Sequence, residues 1–126
     1  IYNCYCKLHD DGFAHSVEVW RDNRLVGGVY GVAIGAAFFG ESMFSEVSNG
    51  SKIALTYLHD RLLKTGFILF DTQFLTEHLA SLGAIEITQA DYLIKLDKAL
   101  NKSVKFLDSS YSADVEIIAH RSTQTS

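Results

Sequence analysis

The spacing of apolar and polar residues changes period several times along the chain, and each change marks a predicted element. Tyr2, Tyr5, Leu8 and His9 recur at helical spacing, and Gly12 sits where a left-handed cap would stop a helix over 1–11. His15-Ser16-Val17-Glu18-Val19-Trp20 alternates as a half-buried strand does. Arg21-Asp22-Asn23-Arg24 is a polar turn, and Leu25 to Ile34 resumes β-rich composition, so the pair reads as a hairpin. Gly27 and Gly28 interrupt its second strand, which fits a bulge, simple curvature or the close approach of a ligand or another backbone. Ala36 to Phe39 is a third strand. It runs into Gly40-Glu41-Ser42-Met43-Phe44, which has no clear period and suits a pocket wall. A helix follows, with Ser51 as its N-cap, an apolar face of Ile53, Leu55, Leu58, Leu62 and Leu63, and Gly66 closing it.

The next run, Phe67 to Gln73, reads as a strand buried on both faces that ends abruptly in Asp71-Thr72-Gln73. Alternation sends Asp71 and Gln73 to one side and Thr72 to the other. That pair is the best candidate for chemistry, although a strand leaving the core for solvent would also end in polar residues. Leu75, Leu79 and Leu82 mark a short helix ending at Gly83, with a brief strand at Ile85 to Ile87 after it. Thr88 with Asp91 opens a helix from Gln89 to about Leu100. Val115, Ile117 and Ile118 suggest one edge strand in an otherwise polar tail, and Ser122 to Ser126 reads as frayed. This order of elements predicts one domain over 1–126, an α+β or α/β fold with a mixed sheet flanked by helices, compatible with a GNAT-like acyltransferase core. Fold alone gives no function.

Composition narrows the classes. At 126 residues, 48% hydrophobic and 21% charged, the chain is long enough for a real core. No apolar run is long enough for a bilayer helix, and the start does not resemble a signal peptide, so the expected location is cytoplasmic. Cys4 and Cys6 are too close for a useful disulfide and are expected reduced, as two small residues on the first helix. Cys4, Cys6 and His9 lack a second ligand pair at finger-like spacing, so no metal is expected. A net charge of -4 argues against gripping nucleic acid unaided. The chain opens on Ile1 rather than a methionine, as a piece of a longer protein would.

Six segments carry a more specific signal. They are His15 to Trp20, Leu25-Val26-Gly27-Gly28-Val29-Tyr30-Gly31-Val32, Phe39-Gly40-Glu41-Ser42-Met43-Phe44-Ser45, Ser51-Lys52-Ile53-Ala54-Leu55, Asp71-Thr72-Gln73 and His78-Leu79-Ala80-Ser81-Leu82-Gly83-Ala84. In that order they resemble the bacterial leucyl/phenylalanyl-tRNA-protein transferases, from about Tyr5 to Tyr92, and the resemblance fades over 102–126. It implies transfer of leucine or phenylalanine from Leu-tRNA or Phe-tRNA onto acceptor proteins with N-terminal Arg or Lys, marking them for degradation. It also implies a GNAT-like catalytic half that uses no acetyl-CoA and no other cofactor, with the family's preceding, tRNA-holding half expected to be absent. Gln89 stands where the family usually has Arg, and Thr72 where it often has Cys.

The resemblance assigns Asp71 and Gln73 to catalysis. It places Val29, Phe38, Leu55, Leu58, Leu62 and Phe70 around the aminoacyl side chain, although each also fits an ordinary core position. Glu41 is the best acid for the acceptor's cationic N-terminus, with Ser42 offering a hydrogen bond nearby, although Glu41 could instead be a solvated loop acid or pair with Lys52. Tyr5 offers a ring to stack on the terminal adenosine of the tRNA 3′ end, or is an ordinary helix-face tyrosine. An aminoacyl ester is already activated, so catalysis is chiefly placement of two reactants, which can supply about 7 to 11 kcal/mol. Gln73 would then accept a hydrogen bond from the attacking amine while Asp71 orients the amide and favours the developing positive charge. A GNAT-type acetyltransferase is the competing enzyme, but neither Asn49-Gly50-Ser51 nor Ser81-Leu82-Gly83 offers a convincing pyrophosphate loop. A non-catalytic fragment or binding module is the other alternative.

Overall fold

The computed structural model describes residues 2–9, 13–72, 77–108 and 111. In chain order the elements are β1 (Tyr2–His9), β2 (Ala14–Arg21), β3 (Arg24–Ile34), β4 (Ala37–Ser45), α1 (Gly50–Thr65), β5 (Leu69–Thr72), α2 (Glu77–Ser81) and α3 (Gln89–Leu100). The described strands form one sheet in sequence order, β1 to β4 antiparallel and β5 parallel to β4. Parallel pairing needs a crossover, and α1 supplies it. This mixed sheet with helices is the α+β, GNAT-like arrangement expected from the element order.

Two helices cover opposite faces of the sheet. α1 packs on one face, where Val17, Val19, Val29, Phe38, Leu55, Leu58 and Leu62 form the main core with Phe67 and Phe106. Each such side chain contributes about 1.5 to 3 kcal/mol by leaving water. α3 covers the other face only at the β4–β5 end, where Ala36, Ala37, Leu69 and Ala99 are buried with Phe39, Tyr92 and Leu96 against them. Alternation along β5 therefore sends Leu69 and Asp71 toward α3, and Phe70 and Thr72 toward α1.

Several local expectations change. The first segment is a strand, not a helix: Tyr2 to His9 pairs along its whole length with Arg21 to Ala14. Cys4 and Cys6 share the face that packs on the α1 core, so a two-residue period decides over the helical one. Gly40 to Phe44 is regular strand within β4, apart from one interruption. Tyr30 pairs with Ser42 and Gly31 with Gly40, which leaves Glu41 as the extra residue of a β-bulge. Ser51 does not cap α1; the N-cap is Asn49, and the Ser45 hydroxyl reaches back to accept from the Ser51 amide at 3.0 Å. β5 is shorter than the apolar run that encodes it and is not buried on both faces. Among the described residues it pairs only with β4, and Ile68 just before it is 42% exposed. Residues 84–88 are loop rather than strand and pair with no described strand. The suggested edge strand at Val115 to Ile118 lies outside the described residues.

Other signals hold. Gly66 closes α1 in the left-handed conformation at φ 94°, and the Thr88 side chain caps α3 by accepting from the Asp91 amide. Gly27 marks a close approach of another backbone, since a Cβ there would lie 2.3 Å from the carbonyl carbon of Gly50. Any side chain would push α1 off the sheet.

Candidate functional site

β5 ends where three elements converge, and its terminal carboxylate is held from outside the strand. Tyr92, in the first turns of α3, donates its hydroxyl to Asp71 Oδ2 at 2.7 Å. That bond to a carboxylate, with burial and the carboxylate's charge adding to it, holds the phenol above its ordinary value. Tyr92 therefore remains a donor at neutral pH. The sequence shows why the ring is there: Tyr92, Leu96 and Ala99 follow one another at i, i+4 and i+7 on the inward stripe of α3. A phenol on such a stripe needs an acceptor, the one signal that could have pointed to a partner for Tyr92.

A cavity of about 790 Å³ opens here. Its apolar wall includes Leu62 and Leu63 of α1, Phe70 of β5 and Leu79 of α2. Ile85 and Ile87 of the α2–α3 loop face it, and Asp71, Glu86, Gln89, Tyr92 and Lys95 supply polar groups. β5 borders no further described strand, and the cavity lining joins side chains from both of its faces. The loop residues were not among the sequence-derived candidates, because loop spacing carries no period that would place them, and neither was Lys95, a helix residue on α3.

The site residues expected from the sequence separate into groups. Leu62, Phe70 and Asp71 line this one cavity. Val29, Phe38, Leu55 and Leu58 are between 0% and 3% exposed; they fill the core beneath α1 and do not line it. Glu41 and Ser42 are exposed and lie outside the cavity lining, but Gly40 pairs with Thr72, so the Glu41 bulge sits on the strand beside the end of β5. Tyr5 is 53% exposed on β1 at the opposite edge of the sheet, about four strand spacings or roughly 19 Å from β5. Gln73 lies outside the described residues.

Elsewhere, burial pushes the Cys4 thiol up to about 11, with Cys6 adding to the effect, and Cys6 is raised by burial as well. Such thiols make poor nucleophiles. Among the described residues no group of three His, Cys, Asp or Glu side chains is arranged to hold a metal ion. No helix among them is long and apolar enough to cross a membrane.

Comparison with known proteins bears on the family. The family model described as leucyl/phenylalanyl-tRNA protein transferase matches residues 1–97. A relative from Cereibacter sphaeroides bearing that name is 56% identical over 126 residues, all of this chain and 59% of the relative. One from Roseobacter denitrificans is 58% identical over 126 residues, all of this chain and 60% of the relative. A third, from Zymomonas mobilis, is 59% identical over 112 residues, 89% of this chain and 39% of the relative. The chain thus spans about three-fifths of the length of the first two relatives. With a family match over most of its residues and such identity along its whole length, the chain belongs to the leucyl/phenylalanyl-tRNA protein transferase family.

Proposed function

We propose that this chain is the catalytic portion of a cytoplasmic aminoacyltransferase. It passes leucine or phenylalanine from the corresponding aminoacyl-tRNA to the N-terminal Arg or Lys of acceptor proteins and so marks them for degradation. The observation that carries the reading is the cavity at the end of β5, where the Asp71 carboxylate faces the same space as the apolar Leu62 and Phe70. A carboxylate beside an apolar hollow suits a reaction whose donor has a greasy side chain and whose acceptor becomes cationic as it attacks.

The chemistry asks little of the protein beyond placement. An α-amino group with an ordinary pKa near 7.7 to 8.0 is about a tenth unprotonated at neutral pH, so no strong base is needed. The ester carbonyl is attacked directly, the ribose oxygen leaves, and the proton lost from nitrogen passes to solvent or to the departing oxygen. Asp71 favours the positive charge that grows on the amine in this step. Gln73, two residues further on, accepts a hydrogen bond from the amine and is oriented by Asp71. Leu62 and Phe70 contact the donor side chain at the cavity. Val29, Phe38, Leu55 and Leu58 set the depth of that hollow from below, so their part is in its shape. The Glu41 bulge, with Ser42, receives the acceptor's cationic end, and Tyr5 stacks on the terminal adenosine.

The experiment is transfer of radiolabelled leucine from Leu-tRNA to a peptide that begins with Arg, using the full-length enzyme and residues 1–126 alone. The expected result is label on the Arg peptide, none on an otherwise identical peptide beginning with Glu, and a large loss in Gln73→Ala. Absence of transfer by the full-length enzyme would overturn the reading.

A further inference from the structure

The helix that carries Tyr92 is fixed at both ends. At its start, Thr88 accepts from the Asp91 amide at 3.2 Å. At its end Ala99 is 0% exposed, and its carbonyl accepts from the Ala36 amide at 2.7 Å. The β3–β4 turn meets the same point, because a Cβ on Gly35 would lie 2.5 Å from that carbonyl oxygen. Leu96 and Tyr92 pack on the sheet between these anchors. A side chain on such a helix has little freedom, and its hydroxyl reaches a carboxylate on the neighbouring strand.

We propose that Tyr92 is a positioning residue for aminoacyl transfer, its hydroxyl holding the Asp71 carboxylate in one orientation at the cavity wall. A phenol has one proton to give, so it occupies one carboxylate oxygen and leaves the other for the reacting groups. Without the bond, the Asp71 side chain turns about its terminal torsion, whose rotation is broad. The carboxylate then spends much of its time aimed away from the reactants. The charged groups that share the cavity are Glu86 and Lys95, and neither forms an ion pair with Asp71 among the described residues.

This inference rests on the reading of Asp71 as a group that meets the reactants, and the experiment separates the two. Tyr92→Phe keeps the ring that packs on the sheet and removes only the hydroxyl. In the full-length enzyme its kcat for leucine transfer is expected to fall about tenfold or more, with KM for tRNA and peptide within about twofold, since one hydrogen bond to a charged group is lost. In the double variant with Asp71→Asn the rate is expected to match Asp71→Asn alone, because Tyr92 acts through that carboxylate. A second readout needs no activity: carbon-13 NMR of the labelled tyrosine is expected to show the Tyr92 phenol titrating lower in Asp71→Asn than in wild type. A severe loss in Asp71→Asn with wild-type kcat in Tyr92→Phe overturns this inference alone. So does an unchanged phenol titration, which would mean that the bond does not form. A wild-type rate in Asp71→Asn overturns the catalytic reading of that carboxylate and this inference with it.

Discussion

Phe106 is 3% exposed and stacks on Phe38 with ring centroids 5.3 Å apart, and it also meets His15 and Phe67. Its backbone is held as well, because the buried Arg61 donates to its carbonyl. In the sequence it is one aromatic directly after the mostly polar run Lys102-Ser103-Val104-Lys105, so neither helical nor strand periodicity points to it. The residue nonetheless closes the main core from beyond the region the family model matches. Replacing it with Ala is expected to cost about 3 to 5 kcal/mol, the range for deleting a buried aromatic. Urea unfolding checks this; a loss below about 1 kcal/mol would mean the core does not depend on it.

At the scale of elements, α2 is too short to be stable by itself, and a buried contact ties it to α1. The Thr56 hydroxyl lies 2.8 Å from the Lys52 carbonyl and 2.7 Å from His78 Nε2, joining the two helices through one side chain. Burial lowers the His78 pKa below the ordinary 6.5, and burial first, then Arg61 and His9, does the same for His15. When the folded pKa of a histidine is lowered, the unfolded chain binds more protons between the two values. Stability is then complete above about pH 6.5 and falls as the pH drops through that window. Urea midpoints at pH 7.5 and 5.5 are expected to differ in that direction; a midpoint unchanged or higher at pH 5.5 would contradict it. Element identity was largely legible where one period ran unbroken, as in β2, α1 and α3. β1 was not, because Tyr2, Tyr5, Leu8 and His9 satisfy a helical template by coincidence while the pairing with β2 selects Cys4 and Cys6 as the inward face.

Across the whole molecule, the sheet divides the residues that the sequence grouped together. Asp71 faces α3, and the core set of Val29, Phe38, Leu55 and Leu58 faces α1. The two sides meet in the cavity lining along β5. Alternation told which residues of β5 share a side, but which helix covers each side depends on contacts made far along the chain. The polar end of β5 was therefore readable as a candidate, whereas Tyr92 and the loop at residues 84–87 became part of it only through the fold.

The donor side chain is expected to sit in this cavity beside Asp71. Titrating the isotope-labelled full-length enzyme with a phenylalanyl-adenosine conjugate joined by an amide in place of the ester, while following side-chain NMR signals, checks this. The expected result is saturable shifts at Leu62, Phe70, Leu79 and Ile85, together with Tyr92. Saturable binding with those signals unmoved and shifts confined to the β1 edge would contradict it.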